Sequence, residues 1–178
     1  PATTRTLDVA CMGPACNAFA DGAQNVVVTA SSSSNVLVTA QGSDNVHLDC
    51  AEASSCDLLA DSAKYVEASC GMFADCRLSA RRADEVRFAT NAANWYYTTA
   101  FNCQDASSCE VDARDAESDV EVIADGVENY VEVFCPAFSA CRVSAKNASN
   151  VVVHCRDRRE GYCDIDCEGA TNCYKSFP

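Results

Sequence analysis

Fourteen of the 178 residues are cysteine, in consecutive pairs at 11/16, 50/56, 70/76, 103/109, 135/141, 155/163 and 167/173. Thiols so spaced can form disulfides, ligate zinc or cycle between redox states. Five pairs enclose five residues, wider than the roughly two to four of compact zinc sites. The cysteine number is even and far above ordinary usage, which points to an oxidising compartment and to neighbours joined as disulfides. The expected bonds are Cys11–Cys16, Cys50–Cys56, Cys70–Cys76, Cys103–Cys109, Cys135–Cys141, Cys155–Cys163 and Cys167–Cys173. Ala40 and Val46 stand where one further pair would fall. Both cysteines are lost together there, as a bond between them requires. Each bond closes a short loop and restrains the unfolded chain by about 2–3 kcal/mol.

Other reactive side chains are sparser. Polysaccharide cleavage needs two or three clustered carboxylates, and the candidates are Asp164 with Asp166 and Glu110 with Asp112. Each pair lies two residues apart on a strand without long loops to wall a substrate, and neither His47 nor His154 has an evident nucleophile beside it. No catalytic residue and no cofactor are therefore expected. Glu132, Asp164 and Asp166, with Glu67, make an acidic side that calcium could bridge, although no EF-hand or nonapeptide pattern is present. Tyr65, Trp95, Tyr130 and Tyr162 share one position before a strand, with Tyr97 and Phe134 alongside. They read as a stacked aromatic corner that stabilises the fold or offers a partner or glycan surface. Asn147-Ala148-Ser149 is a single N-glycosylation sequon. The net charge of −13 argues against a nucleic-acid partner. No apolar run is long enough to span a membrane. The outward threonines Thr29 and Thr39 form no ice-binding array.

These residues ride on a repeat of about ten residues, seen in 21–30 (DGAQNVVVTA), 31–40 (SSSSNVLVTA) and 41–50 (QGSDNVHLDC). Positions six, eight and ten are apolar or cysteine and positions seven and nine are free, so each unit carries one short strand with one buried face. All seven glycines fall between these strands. A ten-residue unit cannot close into a coil alone. The cysteine pairs that start at 70, 103, 135 and 167 recur at an interval of three units. The expected fold is an all-β, right-handed, three-sided parallel β-helix with one domain over 1–178. It has a partial coil over 1–20 and full coils over 21–50, 51–80, 81–113, 114–145 and 146–178. Position seven of one side then reads as a column of His47, Arg77, Glu110, Arg142 and Tyr174. Lys175 falls at an inward position of the last strand, where the helix either stops or is continued by a partner.

The motifs ATNC (170–173), ASSC (53–56 and 106–109) and NVxV/L (25–28, 35–38 and 45–48), with their recurring C-x5-C spacing, resemble cysteine-rich parallel β-helix stretches of large algal and protist surface proteins. Mastigoneme-type proteins of flagellar hairs are among them. The resemblance implies an extracellular structural role with no catalytic residues to carry over. The chain begins with Pro1 and shows no signal peptide, so a mature or excised segment of a secreted protein is expected. The leading expectation is a structural module of a filament, flagellar hair or coat, assembling with itself or with other extracellular structural proteins through its open ends and acidic side. A glycan-binding or adhesive module and a polysaccharide-cleaving β-helix are the alternatives.

Overall fold

The computed structural model describes residues 5–31, 35–50, 55–72, 74–92, 97–156 and 163–177. These form seventeen short strands, all pairing in parallel, and contain no helix. The odd-numbered strands make a nine-stranded sheet in chain order: β1 (Thr6–Cys11), β3 (Asn25–Ala30), β5 (Asn45–Cys50), β7 (Tyr65–Cys70), β9 (Glu85–Thr90), β11 (Ser108–Asp112), β13 (Tyr130–Phe134), β15 (Asn150–His154) and β17 (Asn172–Ser176). The even-numbered strands make an eight-stranded sheet: β2 (Ala15–Phe19), β4 (Asn35–Thr39), β6 (Ser55–Leu59), β8 (Asp75–Ser79), β10 (Thr98–Asn102), β12 (Asp119–Ile123), β14 (Cys141–Ser144) and β16 (Cys163–Asp166).

The parallel solenoid, the alternation and the turns are as the sequence predicts. The three-sided coil is not. A coil holds two strands, and equivalent residues recur every 19 to 23 positions, as in Leu7↔Val26, Val26↔Val46 and Phe88↔Val111. The expected coil over 21–50 contains β3, β4 and β5, one and a half coils. The recurring cysteine interval is likewise one and a half coils. The staples starting at 70, 103, 135 and 167 therefore alternate between the two edges instead of stacking on one corner.

The two edges differ. Turns from the eight-stranded to the nine-stranded sheet have five or six residues. At each of these eight turns one residue is left-handed: Gly22, Gly42, Ser62, Arg82, Asp105, Gly126, Asn147 and Gly169, with φ between 55° and 75°. Six of the turns close with an i→i+3 backbone bond, such as Ala23 N to Ala20 O at 3.1 Å, the arrangement of a type II turn. Successive turns also bond each other, as from Gly22 N to Gln41 O at 2.8 Å and from Gly126 N to Lys146 O at 2.8 Å. The sheet thus continues around this tight edge. Turns on the opposite, wide edge run from three to eight residues.

The core lies between the sheets. Its middle is filled by Val28, Leu48, Phe88, Val111 and Val133 from one side and Val38, Leu58, Leu78, Phe101 and Val122 from the other, all buried. Phe88 and Phe101 stack across it with ring centroids 5.2 Å apart, and Ala68 on the rung beside Phe88 leaves the volume they need. At the tight edge, buried alanines (Ala40, Ala60, Ala80, Ala124, Ala145) close the core.

Candidate functional site

Sulfur chemistry lies entirely at the two edges. All seven expected disulfides are present and no cysteine is free. Five staple the wide edge, while Cys103–Cys109 and Cys167–Cys173 staple the tight edge. Where a staple is missing, a complementary pair takes its place. On the tight edge it is Ala/Val, as in Ala80/Val86 and Ala124/Val131, all buried. On the wide edge it is Ala30/Val36, Ala113/Val120 or the buried Thr90/Thr99. Thr90 accepts a bond from Ala92 N at 3.1 Å, and Thr99 bonds the Ser118 hydroxyl at 3.2 Å. Cys135 and Cys163, from staples on successive coils, bring their sulfurs to 3.8 Å, and Cys155 completes a buried trio. All three sulfurs are in disulfides, so they could ligate a metal only after reduction.

The outward face of the nine-stranded sheet is a ladder of polar contacts between rungs. His47 Nδ1 lies 3.3 Å from Glu67 Oε2, Ser69 donates to Asp49 at 2.7 Å, and Arg87 bridges Glu85 at 2.7 Å and Glu110 at 3.7 Å. Asn25 and Asn45, and Asn150 and Asn172, bond through their side-chain amides at 3.0 and 2.9 Å. One chain of contacts runs over three coils. Glu132 Oε1 lies 2.8 Å from His154 Nε2, and His154 Nδ1 lies 2.8 Å from the Ser176 hydroxyl. Phe134 stacks on the imidazole at 4.3 Å, and the Arg114 guanidinium lies over the Phe134 ring at 4.3 Å. Burial raises the Glu132 pKa, but hydrogen bonds from Tyr130 and His154 and the nearby charges of His154 and Arg114 outweigh it and hold the carboxyl below its ordinary value. Burial and the carboxylates of Glu132 and Glu110 push the Tyr130 phenol well above its ordinary range. His154 therefore does have a hydroxyl partner, Ser176. The sequence hides it because the two stand a full coil apart along the chain.

At the tight edge a second carboxylate is tied down. Asp61, 7% exposed, accepts from Ser79 Oγ at 2.8 Å, Arg81 N at 3.0 Å and Arg81 Nε at 2.9 Å. Burial raises its pKa, and these bonds together with the Arg81 charge more than reverse the effect. Asp21 and Asp125 repeat the contact to the next coil's backbone, at Gln41 N and Lys146 N.

The outward column of the eight-stranded sheet is different. It reads Asn17, Leu37, Asp57, Arg77, Ala100, Glu121, Arg142 and Asp164 on successive rungs. Among the described residues none of its five charged side chains makes an ion pair. The small Ala100 opens a depression of about 450 Å³ flanked by Leu37, Leu59 and Ile123.

The other expected surfaces are rearranged by the two-sheet coil. The column of His47, Arg77, Glu110, Arg142 and Tyr174 does not exist, because its members alternate between sheets. The aromatic corner does not assemble either. Tyr65 and Tyr130 share a column of the nine-stranded sheet, but Glu85 and Ser108 stand between them. Phe134 belongs to the His154 cluster, and the exposed Tyr97 leads into the opposite sheet. Trp95 and Tyr162 lie outside the described residues. The calcium candidates are likewise split. Glu67 and Glu132 face outward from one sheet, Asp164 and Asp166 from the other, and Asp166 is paired with Lys146 at 3.0 Å. Asn147 is exposed at a tight-edge turn. Lys175 does occupy an inward column, opposite Val153, and donates to Cys163 O at 2.7 Å. No helix of the described residues is long and apolar enough to cross a membrane. No family model matches the chain, and neither the curated proteins nor the solved structures contain a match to it.

Proposed function

We propose that this chain is a non-enzymatic, extracellular structural module, a segment of a filament, flagellar hair or cell-surface coat. The supporting observation is the stapling of both solenoid edges by seven disulfides around an interior filled by side chains. Disulfides at this density belong to an oxidising, extracellular environment. The polar residues of the nine-stranded face mostly bond one another across rungs, which suits a rigid part better than a receptive pocket. The outermost strands of each sheet, β1 and β17, β2 and β16, pair on one side only among the described residues. Such edges can take up a further strand, so end-to-end assembly is part of this reading. Lys175 at the inward position of β17 opposes a purely apolar joint at that end.

Immunogold labelling of intact cells tests the proposal: an antibody to the folded chain should decorate an external filament or coat. Label confined to the cell interior would overturn it. The Ser176–His154–Glu132 chain bears on the non-enzymatic part. Labelling of Ser176 by a fluorophosphonate reagent, abolished in His154→Ala, would mark a hydrolytic face and overturn that part.

A further inference from the structure

We infer that Asn147 carries an N-linked glycan, for which the fold keeps a bare strip of the tight edge. The sequon Asn147-Ala148-Ser149 is the sequence requirement for this modification, and the structure supplies the room. The left-handed residues of the tight-edge turns form one column. Four of them bear a side chain, Ser62, Arg82, Asp105 and Asn147. Of these, Asn147 alone has glycine on both neighbouring coils, Gly126 before it and Gly169 after it. The bonds from Gly126 N to Lys146 O at 2.8 Å and from Asn147 N to Glu168 O at 2.9 Å hold the three turns in step. At about 4.8 Å between coils, the column from Gly126 to Gly169 runs about 10 Å with no side chain but that of Asn147.

The Asn147 amide has no other task. Asn25 and Asn45, and Asn150 and Asn172, bond one another across rungs. Asn147 Nδ2 makes no hydrogen bond among the described residues. Its Oδ1 and Cγ are the side-chain atoms nearest the Cβ position of Gly169, so Nδ2 is turned away from the next coil. Neighbouring charges are drawn off the strip toward the eight-stranded sheet. Asp125 accepts from Ser144 Oγ at 2.7 Å, and Lys146 pairs with Asp166 at 3.0 Å. Asn147 itself is exposed, and its φ of 55° is one that Asn adopts more readily than most residues. The donor is an oligosaccharide carried on a lipid pyrophosphate. The bond from Nδ2 to the anomeric carbon forms as the bond from that carbon to the pyrophosphate oxygen breaks. The lipid pyrophosphate leaves, and the amide nitrogen loses one proton. This inference rests on the oxidising-compartment part of the reading above, because the transfer takes place in the secretory compartment where such disulfides form. A glycan at this place covers the tight edge around the last three turns, so neighbours in an assembly would meet the chain elsewhere.

Mass spectrometry of the chain purified from its own cells is the test. The peptide that holds Asn147 should carry N-acetylhexosamine and hexose increments. A peptide amidase that releases N-linked glycans should leave aspartate at 147, with an oxygen taken from labelled water. Expressed through a eukaryotic secretory pathway, Asn147→Gln and Ser149→Ala should each lose the glycan, and Ser149→Thr should keep it. The glycosylated wild type and Ser149→Ala should melt within a few degrees of each other, because the sugar stands clear of the fold. A native peptide found only unmodified overturns the inference, as does a modification that survives Ser149→Ala. A glycosylated chain that melts far below Ser149→Ala overturns the bare strip. An unmodified Asn147 in a chain whose antibody decorates an external filament removes the glycan and leaves the structural role intact. A glycosylated chain whose label stays inside the cell does the reverse.

Discussion

Gly126 and Gly169 each follow, one coil later, a left-handed residue that carries a side chain. A Cβ on Gly126 would strike the Asp105 carboxylate, and one on Gly169 would strike the Asn147 amide. Gly22 and Gly42 take the same φ but have open space around that position. Alanine at Gly22 or Gly42 should cost only the left-handed strain, about 1 kcal/mol, whereas Gly126→Ala should cost about 2 kcal/mol or more. Asp105→Gly in the Gly126→Ala background should recover the excess, measured as urea midpoints at constant m-value. Asp61 allows a second residue-scale test. Its carboxyl is held below the ordinary value of 3.8 in the fold. Its contribution is therefore complete above that pH and lost as the pH falls through the depressed folded-state value. Asp61→Asn should be destabilised by about 1–3 kcal/mol at neutral pH. The gap from wild type should close in strong acid, and a gap that persists unchanged there would mean that shape, not charge, is what Asp61 supplies.

At the scale of elements, the alternation of positions six to ten made the strands and their buried faces legible, and close cysteine neighbours made the disulfides legible. The number of sides was not, because one and a half two-stranded coils and one three-sided coil contain the same number of ten-residue units. The discriminating signal was present at the glycines. Gly22, Gly42, Gly126 and Gly169 all sit at the same turn position of a two-strand coil, and the cysteine starts 50 and 70, or 135 and 155, stand one such coil apart. The same ambiguity of period conceals the Glu132–His154–Ser176 chain and the Ala100 column, since both depend on which residues are one coil apart. The edges themselves lend a prediction. Cys103 and Cys109 occupy positions that hold Ala/Val on both neighbouring coils, so Cys103→Ala with Cys109→Val should keep the fold. Its loss should be about 2 kcal/mol, the loop-closure contribution. A much larger loss by chemical denaturation would mean that the native packing around this disulfide differs from that around its Ala/Val neighbours.

The whole molecule is a rod on the order of 40 Å long, nine rungs at about 4.8 Å, in which each coil touches only the next. Stability in such a solenoid is close to a sum over coils and their interfaces, so the staples should act nearly independently. Seven short loops at about 2 kcal/mol each approach the entire stability of an ordinary domain, about 5–15 kcal/mol. Replacing all seven pairs by Ala/Val at once, which preserves volume while removing every bond, should therefore leave a chain at or below marginal stability at 37 °C. Each single pair replacement should still fold. Thermal unfolding followed by circular dichroism distinguishes the outcomes. If the fully replaced chain melts within a few degrees of the oxidised wild type, the core between the sheets holds the rod by itself. The disulfides would then serve resistance to proteolysis or force, not equilibrium stability. A large drop in melting temperature, graded with the number of pairs removed, would make the fold inseparable from the oxidising compartment in which its bonds form.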